Sequence, residues 1–226
     1  MPRISVILPA AGSGRRFGGN ESKILQPLAG RPVFLRSVDL FATRGDVCQI
    51  LLVVSPADRK SLQQHYGKEL LALGTQLVTG GATRSESVRN ALSHVLDEVD
   101  LVCVHDAVRP CVTQGLIDAV FTAAAHTAAA ILAWPVHATL KDVDEAGTIR
   151  RTVCREGLWE AQTPQVFRKD LLKAAYDTGH NATDDAELVQ RRGQTVTVVK
   201  GDPHNIKITT PADLAFAQAL IETTST

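Results

Sequence analysis

Val6-Ile7-Leu8-Pro9-Ala10-Ala11-Gly12-Ser13-Gly14-Arg15-Arg16-Phe17-Gly18-Gly19, with Lys23 shortly after it, is the stretch from which the rest of the chain can be read. The apolar run closing on Pro9 predicts a buried strand, and the small residues beyond it leave backbone amides open to a closely approaching ligand. Two arginines follow within the same turn. Amides that donate hydrogen bonds, together with planar guanidinium groups, suit a polyphosphate.

Two commoner glycine loops do not fit. A Walker A loop needs Lys-Ser or Lys-Thr directly after its last glycine, whereas Gly19 is followed by Asn20. A dinucleotide fingerprint needs glycine where Phe17 stands, and the next apolar run, from Gln49 to Val54, ends in Ser55-Pro56 instead of an acidic residue for a ribose. A tight turn with solvated arginines stays open as the plainer reading of this stretch alone.

Working outward, Asn20 to Arg31 lacks a sustained period and reads as a loop over the ligand. Pro32 suits the first turn of a helix carrying Phe34, Leu35, Val38 and Phe41, stopped at Gly45. Gln49 to Val54 reads as a strand covered on both faces, and Ala57 to Leu73 as a helix broken near Gly67. A short strand from Gln76 to Thr79 leads to Gly80-Gly81-Ala82-Thr83-Arg84-Ser85-Glu86-Ser87, where either Ser85 or Thr83, paired with Glu86, can cap the next helix. Leu101 to Val104 is a further strand, ending in His105-Asp106-Ala107-Val108-Arg109-Pro110; Gly115 to Thr127 is a helix and Ala129 to Ala133 a strand. Strand and helix in turn predict a doubly wound, mostly parallel α/β sheet, whose ligands bind beyond the carboxyl ends of its strands. The Gly12, Gly81 and Asp106 clusters all follow such ends.

The rhythm breaks at His137. Thr139 to Val143 and Thr148 to Val153, around Asp144-Glu145-Ala146-Gly147, read as a two-stranded ribbon. A lone ribbon is marginal in water, so an arm at about 137–160 embracing a second subunit is expected. Helices at 169–178 and up to Arg192, strands at 195–199 and 206–209, and a closing helix after Pro211 complete one domain spanning 1–226.

Hydrophobic residues make up 44% and charged residues 21% of the 226 positions, as in ordinary globular chains. Lys+Arg and Asp+Glu balance at 24 each and aromatics reach only 4%, so no general grip on nucleic acid or an anionic membrane is indicated. With no leader pattern and no apolar run approaching the ~20 residues of a membrane span, a cytoplasmic protein is expected. Cys48, Cys103, Cys111 and Cys154 show no CxxC spacing, and mostly buried free thiols are expected.

Pro9 to Arg16 with Lys23, His105 to Pro110, Gln162-Thr163-Pro164-Gln165, Thr183-Asp184-Asp185-Ala186 and Asn205-Ile206-Lys207-Ile208-Thr209 together resemble the 2-C-methyl-D-erythritol 4-phosphate cytidylyltransferase family, in its order and from about Ile4 to the last helix. The resemblance implies a Rossmann-like nucleotidyltransferase sheet, a dimer formed by arm exchange, and a magnesium-assisted reaction. In it, methylerythritol phosphate attacks the α-phosphorus of CTP and pyrophosphate leaves. Arg16, Lys23, Arg155 and Lys207 match the family's catalytic cations. Ala10, Ala11, Gly12, Gly14, Gly81, Ala82, Ser87, Asp106 and Ala107 match nucleotide-binding positions. Arg109, Thr139, Arg155, Thr163, Thr183 and Lys207 match positions around the second substrate, Thr139 and Arg155 being brought by the partner's arm. Magnesium is expected to be held mainly through CTP phosphates, with Asp106 as its protein ligand; Asp106 as a helix cap, and His105 as a structural residue, stay open. A cytidylyltransferase for another polyol phosphate, such as ribitol 5-phosphate, is the alternative. The chain departs from the family pattern at three places: Ala82 stands where the family often carries an acidic residue, Ile24-Leu25 follow Lys23 in place of Gln and an aromatic residue, and His204 stands where an acidic residue is common.

Overall fold

A computed structural model describes residues 1–12, 17 and 22–224, the last by its backbone only. Along the chain, β1 (Ile4–Pro9) precedes a 3-10 turn (Lys23–Leu25) and a small ribbon of β2 (Pro27–Leu28) and β3 (Arg31–Pro32). Then come α1 (Val33–Ala42), β4 (Val47–Val54), α2 (Pro56–Ala72), β5 (Thr75–Thr79), α3 (Arg84–Leu92), β6 (Leu101–Val104), α4 (Gln114–Thr127) and β7 (Ala129–Pro135). A second ribbon, β8 (Leu140–Val143) and β9 (Ile149–Val153), leads to β10 (Trp159–Arg168), α5 (Lys169–Tyr176), α6 (Asp185–Gln190), β11 (Thr197–Lys200) and α7 (Pro211–Thr224).

Seven strands form one sheet in the order β11-β7-β10-β6-β1-β4-β5. Every neighbouring pair is parallel except the two that β10 makes. Alternation along each strand divides the core. Val6, Leu8, Ile50, Leu52 and Cys103 pack with Phe34 and Phe41 of α1 and Ile117 and Phe121 of α4. Ile7, Leu51, Val53, Val102 and Val104 pack on the other side with Val88 of α3, Leu172 of α5 and Leu188 of α6. Burial on both faces is why these strands are mostly apolar, the buried Ser5 of β1 donating to Gln49 Oε1 of β4 (2.8 Å). The expected doubly wound, mostly parallel α/β sheet is the one observed.

Several local expectations give way. The segment after Lys23 holds a 3-10 turn and the β2–β3 ribbon instead of plain loop, and Pro32 caps α1 from outside its first turn. Residues 206–209 form no strand: Ile208 makes a single bridge to the Val108 carbonyl (2.9 Å), and the amides of Thr209 and Thr210 are spent on Asp213 Oδ2 (both 2.8 Å) at the start of α7. Of the thiols only Cys103 is buried; Cys48 and Cys154 are exposed, Cys154 because it follows β9 on a ribbon that pairs with no other strand. The strand missed in sequence is β10, whose polar stretch from Gln162 to Gln165 hides the pattern. Its pairing with β7 skips from Ala161 to Gln165, so Pro164 falls in the register break, where no ladder donor is required.

Helix α2 runs unbroken through Gly67, capped by Ser55, whose hydroxyl accepts from the Asp58 amide (3.0 Å). Straight-chain neighbours carry it, and an isolated glycine costs only ~1 kcal/mol. A Cβ at position 67 would meet just the movable amide end of Gln63. Gly67→Ala should therefore stabilise by roughly 0.5–1 kcal/mol and raise the melting temperature by about 2–4 °C. A lowered melting temperature in calorimetry would show that position 67 needs glycine.

Candidate active site

Beyond the carboxyl ends of β1, β5 and β6 lies a cavity of about 630 Å³, lined by Pro9 to Gly12, Lys23, Ile24, Gly81 to Arg84, Ser87, Asp106, Val108, Lys207 and Thr209. This is the place where open α/β sheets bind ligands. Close packing builds its floor: a Cβ on Gly80 would sit 2.7 Å from the Ala11 Cβ and 3.3 Å from the Val54 carbonyl oxygen. The β5–α3 turn thus rests directly on the turn after β1. Thr83, and not Ser85, caps α3. Its hydroxyl accepts from the Glu86 amide (3.1 Å), while Glu86 Oε2 accepts from the amides of Ala82 (2.7 Å) and Thr83 (3.2 Å). Ser87 Oγ accepts from the Gly81 amide (3.1 Å) and donates to the Thr83 carbonyl (2.9 Å), which fixes the small-residue wall.

Asp106 is the one carboxylate among the described residues lining this cavity. Its Oδ2 meets Lys207 Nζ at 2.8 Å and Arg109 Nε at 3.8 Å; its Oδ1 meets Arg84 Nε at 3.3 Å. Burial alone would raise its pKa, but Arg84, Lys207 and Arg109 outweigh burial and hold the carboxyl well below the usual range. Arg84 also donates through Nη2 to the fully buried Asp185 (2.8 Å), whose other oxygen accepts from the Tyr176 hydroxyl. Burial lowers the pKa of Arg109, with Asp106 opposing, and its Nη1 donates to the Asn205 carbonyl (2.6 Å).

A second cavity of about 470 Å³ adjoins the first, lined by Arg109, Trp134, His137, Gln162, Asn205, Ile206 and Lys207 among others. Lys207 belongs to both walls. Between and beneath them, the buried His105 has Nε2 3.0 Å from the Arg109 carbonyl, so Nε2 carries the proton and Nδ1 accepts from Thr163 Oγ1 (3.1 Å). The same hydroxyl accepts from the Asp106 amide (3.1 Å). His105 is thus a neutral structural residue.

Ala10, Ala11, Gly12, Lys23, Gly81, Ala82, Ser87, Asp106 and Lys207 come together on the first cavity, and Arg109 on the second. Gly14 and Arg16 lie outside the described residues. Ala107 is in the core, its carbonyl accepting from Ser37 of α1, and Thr163 is buried within β10 under the site with its hydroxyl already engaged; neither lines either of these two cavities. Thr183 is exposed, its amide and hydroxyl bound to Glu187. Thr139 is exposed beside β8, and Arg155 donates to the His137 carbonyl; neither lines either of these two cavities. Arg84, Asp185 and Gln165 are site-building residues that sequence reasoning missed. The signals were Arg84's place inside the capping box and the places of Gln165 and Asp185 in stretches that carry the family resemblance.

The family model described as IspD, 2-C-methyl-D-erythritol 4-phosphate cytidylyltransferase, matches residues 4–223. A protein of that name from Rhodopirellula baltica is 44% identical, with 96% of this chain and 94% of the relative covered. One from Bacillus velezensis is 39% identical over 97% of this chain and 96% of the relative. The crystal structure of the enzyme so named from Thermus thermophilus matches with a TM-score of 0.81 at 34% identity, covering 97% of this chain and 99% of that one. That of 4-diphosphocytidyl-2C-methyl-D-erythritol synthase from Anaerococcus prevotii matches at 0.82 and 30% identity, covering 98% and 99%.

Burial, against the pull of Asp106, lowers the His105 pKa to about 4, below its ordinary 6.5. The unfolded chain therefore takes up this proton first, so stability is lost as pH falls from about 6.5 towards 4, on the order of 3 kcal/mol. In His105→Gln, urea midpoints should fall less steeply across that window than in the parent protein. Parallel curves would show that His105 does not titrate as a buried neutral group.

Proposed function

The chain belongs to the 2-C-methyl-D-erythritol 4-phosphate cytidylyltransferase family, and from that premise we propose how its residues carry the reaction. It is a nucleotidyltransferase of isoprenoid biosynthesis, moving a cytidylyl group from CTP to 2-C-methyl-D-erythritol 4-phosphate. The observation that carries the assignment of roles is Lys207 standing on both cavity walls and paired to Asp106.

The nucleophile is a phosphate oxygen that is already anionic, so no general base is required. Its bond to the α-phosphorus forms as the bond from that phosphorus to the β-phosphate oxygen breaks, and pyrophosphate leaves. The obstacle is repulsion between anions, which positioned cations relieve. We assign CTP to the first cavity. Main-chain groups at Ala10 to Gly12, Gly81 and Ala82, with Ser87, face its base and ribose, and Lys23 and Arg16 face the triphosphate. Methylerythritol phosphate takes the second cavity. There Arg109 and Lys207 hold its phosphate, with Thr183 nearby and Thr163 acting from below through Asp106. We take 1–226 as one domain and assign dimer formation to its arm at about 137–160, Thr139 and Arg155 crossing to the other subunit. The unpaired β8–β9 ribbon, with Val143 45% and Ile149 58% exposed, supports that exchange.

Magnesium fits the donor set, since this ion commonly uses one or two carboxylates together with substrate phosphates. Among the described residues no cluster of three ligating side chains exists, so Asp106 would be its protein contact and CTP would bring the rest. When bound it supplies charge neutralisation on the triphosphate. No helix among the described residues is long and apolar enough to cross a membrane; we place the enzyme in the cytoplasm, where CTP is available. Ribitol 5-phosphate is not favoured as acceptor, because the relatives compared above are named for methylerythritol phosphate.

Pyrophosphate release from CTP and magnesium should be rapid with methylerythritol phosphate and negligible with ribitol 5-phosphate. Lys23→Ala and Lys207→Ala should each lower kcat by about 10²–10³-fold. Release only with ribitol phosphate would reassign the second cavity.

A further inference from the structure

Arg84 opens α3, where the Thr83–Glu86 capping box fixes its backbone, and among the described residues it is the one side chain that touches both Asp106 and Asp185. Asp185 has no freedom of its own. It is fully buried, one oxygen accepts from Tyr176, and its amide and that of Ala186 both donate to Gln165 Oε1 (3.1 Å each). The next turn of α3 is tied to the same place, Arg89 Nε donating to the Tyr176 carbonyl (3.2 Å). A guanidinium can bridge two carboxylates through different nitrogens; an ammonium cannot reproduce that fork.

We infer that Arg84 is a positioning residue for the transfer reaction: clamped to the buried Asp185, it holds Oδ1 of Asp106 so that Oδ2 stays aimed at Lys207. The inference rests on the cytidylyl-transfer reading and deepens it. Without the clamp the Asp106 carboxylate turns about its Cβ–Cγ bond and Lys207, 2.8 Å from it, moves with it. Tyr176 and Asp185 then matter to catalysis although neither lines either cavity.

The test is steady-state kinetics of Tyr176→Phe, Asp185→Asn, Arg84→Lys and Arg84→Ala with CTP and methylerythritol phosphate, beside their melting temperatures. Small displacements at a reacting centre cost up to about 10²-fold. Tyr176→Phe and Asp185→Asn should each lower kcat roughly 10-fold with KM for CTP within about 3-fold of the parent value. Arg84→Ala should lose about 10²-fold in kcat, be partly restored by guanidinium ion in the buffer, and not be rescued by Arg84→Lys. Parent kcat in both Tyr176→Phe and Asp185→Asn, with only a lowered melting temperature, would reduce the network to fold stability and overturn the inference. So would an Arg84→Ala loss confined to KM for CTP, which would make Arg84 a plain nucleotide ligand. Should Arg84→Ala fail to fold, the Tyr176 and Asp185 variants decide. A parent enzyme inactive on both substrates would overturn the transfer reading and this inference with it, whereas an active parent with unaffected variants overturns this inference alone.

Discussion

A carboxylate removed from water needs compensating charge, and the cavity is organised around how Asp106 meets that need. With 8% of its side chain exposed, it draws Arg84 from α3, Arg109 from the turn after β6 and Lys207 from the segment before α7. Leaving a buried carboxylate without such partners is costly, and their pairing ties three distant pieces of chain to one point. The count is not neutral. Three cations face Asp106 and Asp185, leaving a local excess of positive charge in a chain whose formal charge is zero. Anions are attracted to that point and not to the surface at large.

The frame that holds this charge is β10. Gln162 donates to the Asp202 carbonyl (2.8 Å) and accepts from Asn205 (3.2 Å), setting the approach to Lys207. Thr163 receives the Asp106 amide and donates to His105, and Gln165 receives the start of α6. Three polar side chains within the buried part of one strand, Gln162, Thr163 and Gln165, thus each fix a different wall. The space under Gln162 is filled as tightly: a Cβ on Gly201 would meet its side-chain oxygen and lie 3.3 Å from the Ala133 carbonyl.

This explains what the sequence could and could not reveal. Strands β1, β4, β6 and β7 stood out because helices cover both their faces and leave continuous apolar runs, Val6 to Leu8, Ile50 to Val54, Leu101 to Val104 and Ala129 to Ala133. The cavity residues at Gly12, Gly81 and Asp106 were legible because they follow strand ends, and position relative to a strand end is a local property. Strand β10 was not legible: its polar residues answer to partners at 105–106, 184–186 and 202–205, which no window of sequence around it contains. Arg84 was hidden likewise, since its partners lie 22 and 101 residues away. The break expected at Gly67 is absent because one weak residue does not stop a capped helix, and the strand expected at 206–209 is absent because the amides of Ile208 and Thr209 go to the Val108 carbonyl and to Asp213. Periodicity reports burial well and reports hydrogen-bond destinations poorly.

Lys207 standing on the wall of two adjoining cavities also bears on how the enzyme lets go. On the proposed occupancy, two separate substrates each lose translational freedom to meet that ammonium, whereas the joined product loses it once and spans both cavities at high effective concentration. On that occupancy the joined diphosphate is held by both walls together. Departure of that product is a step the same walls oppose, and a compound copying its length would inherit their grip.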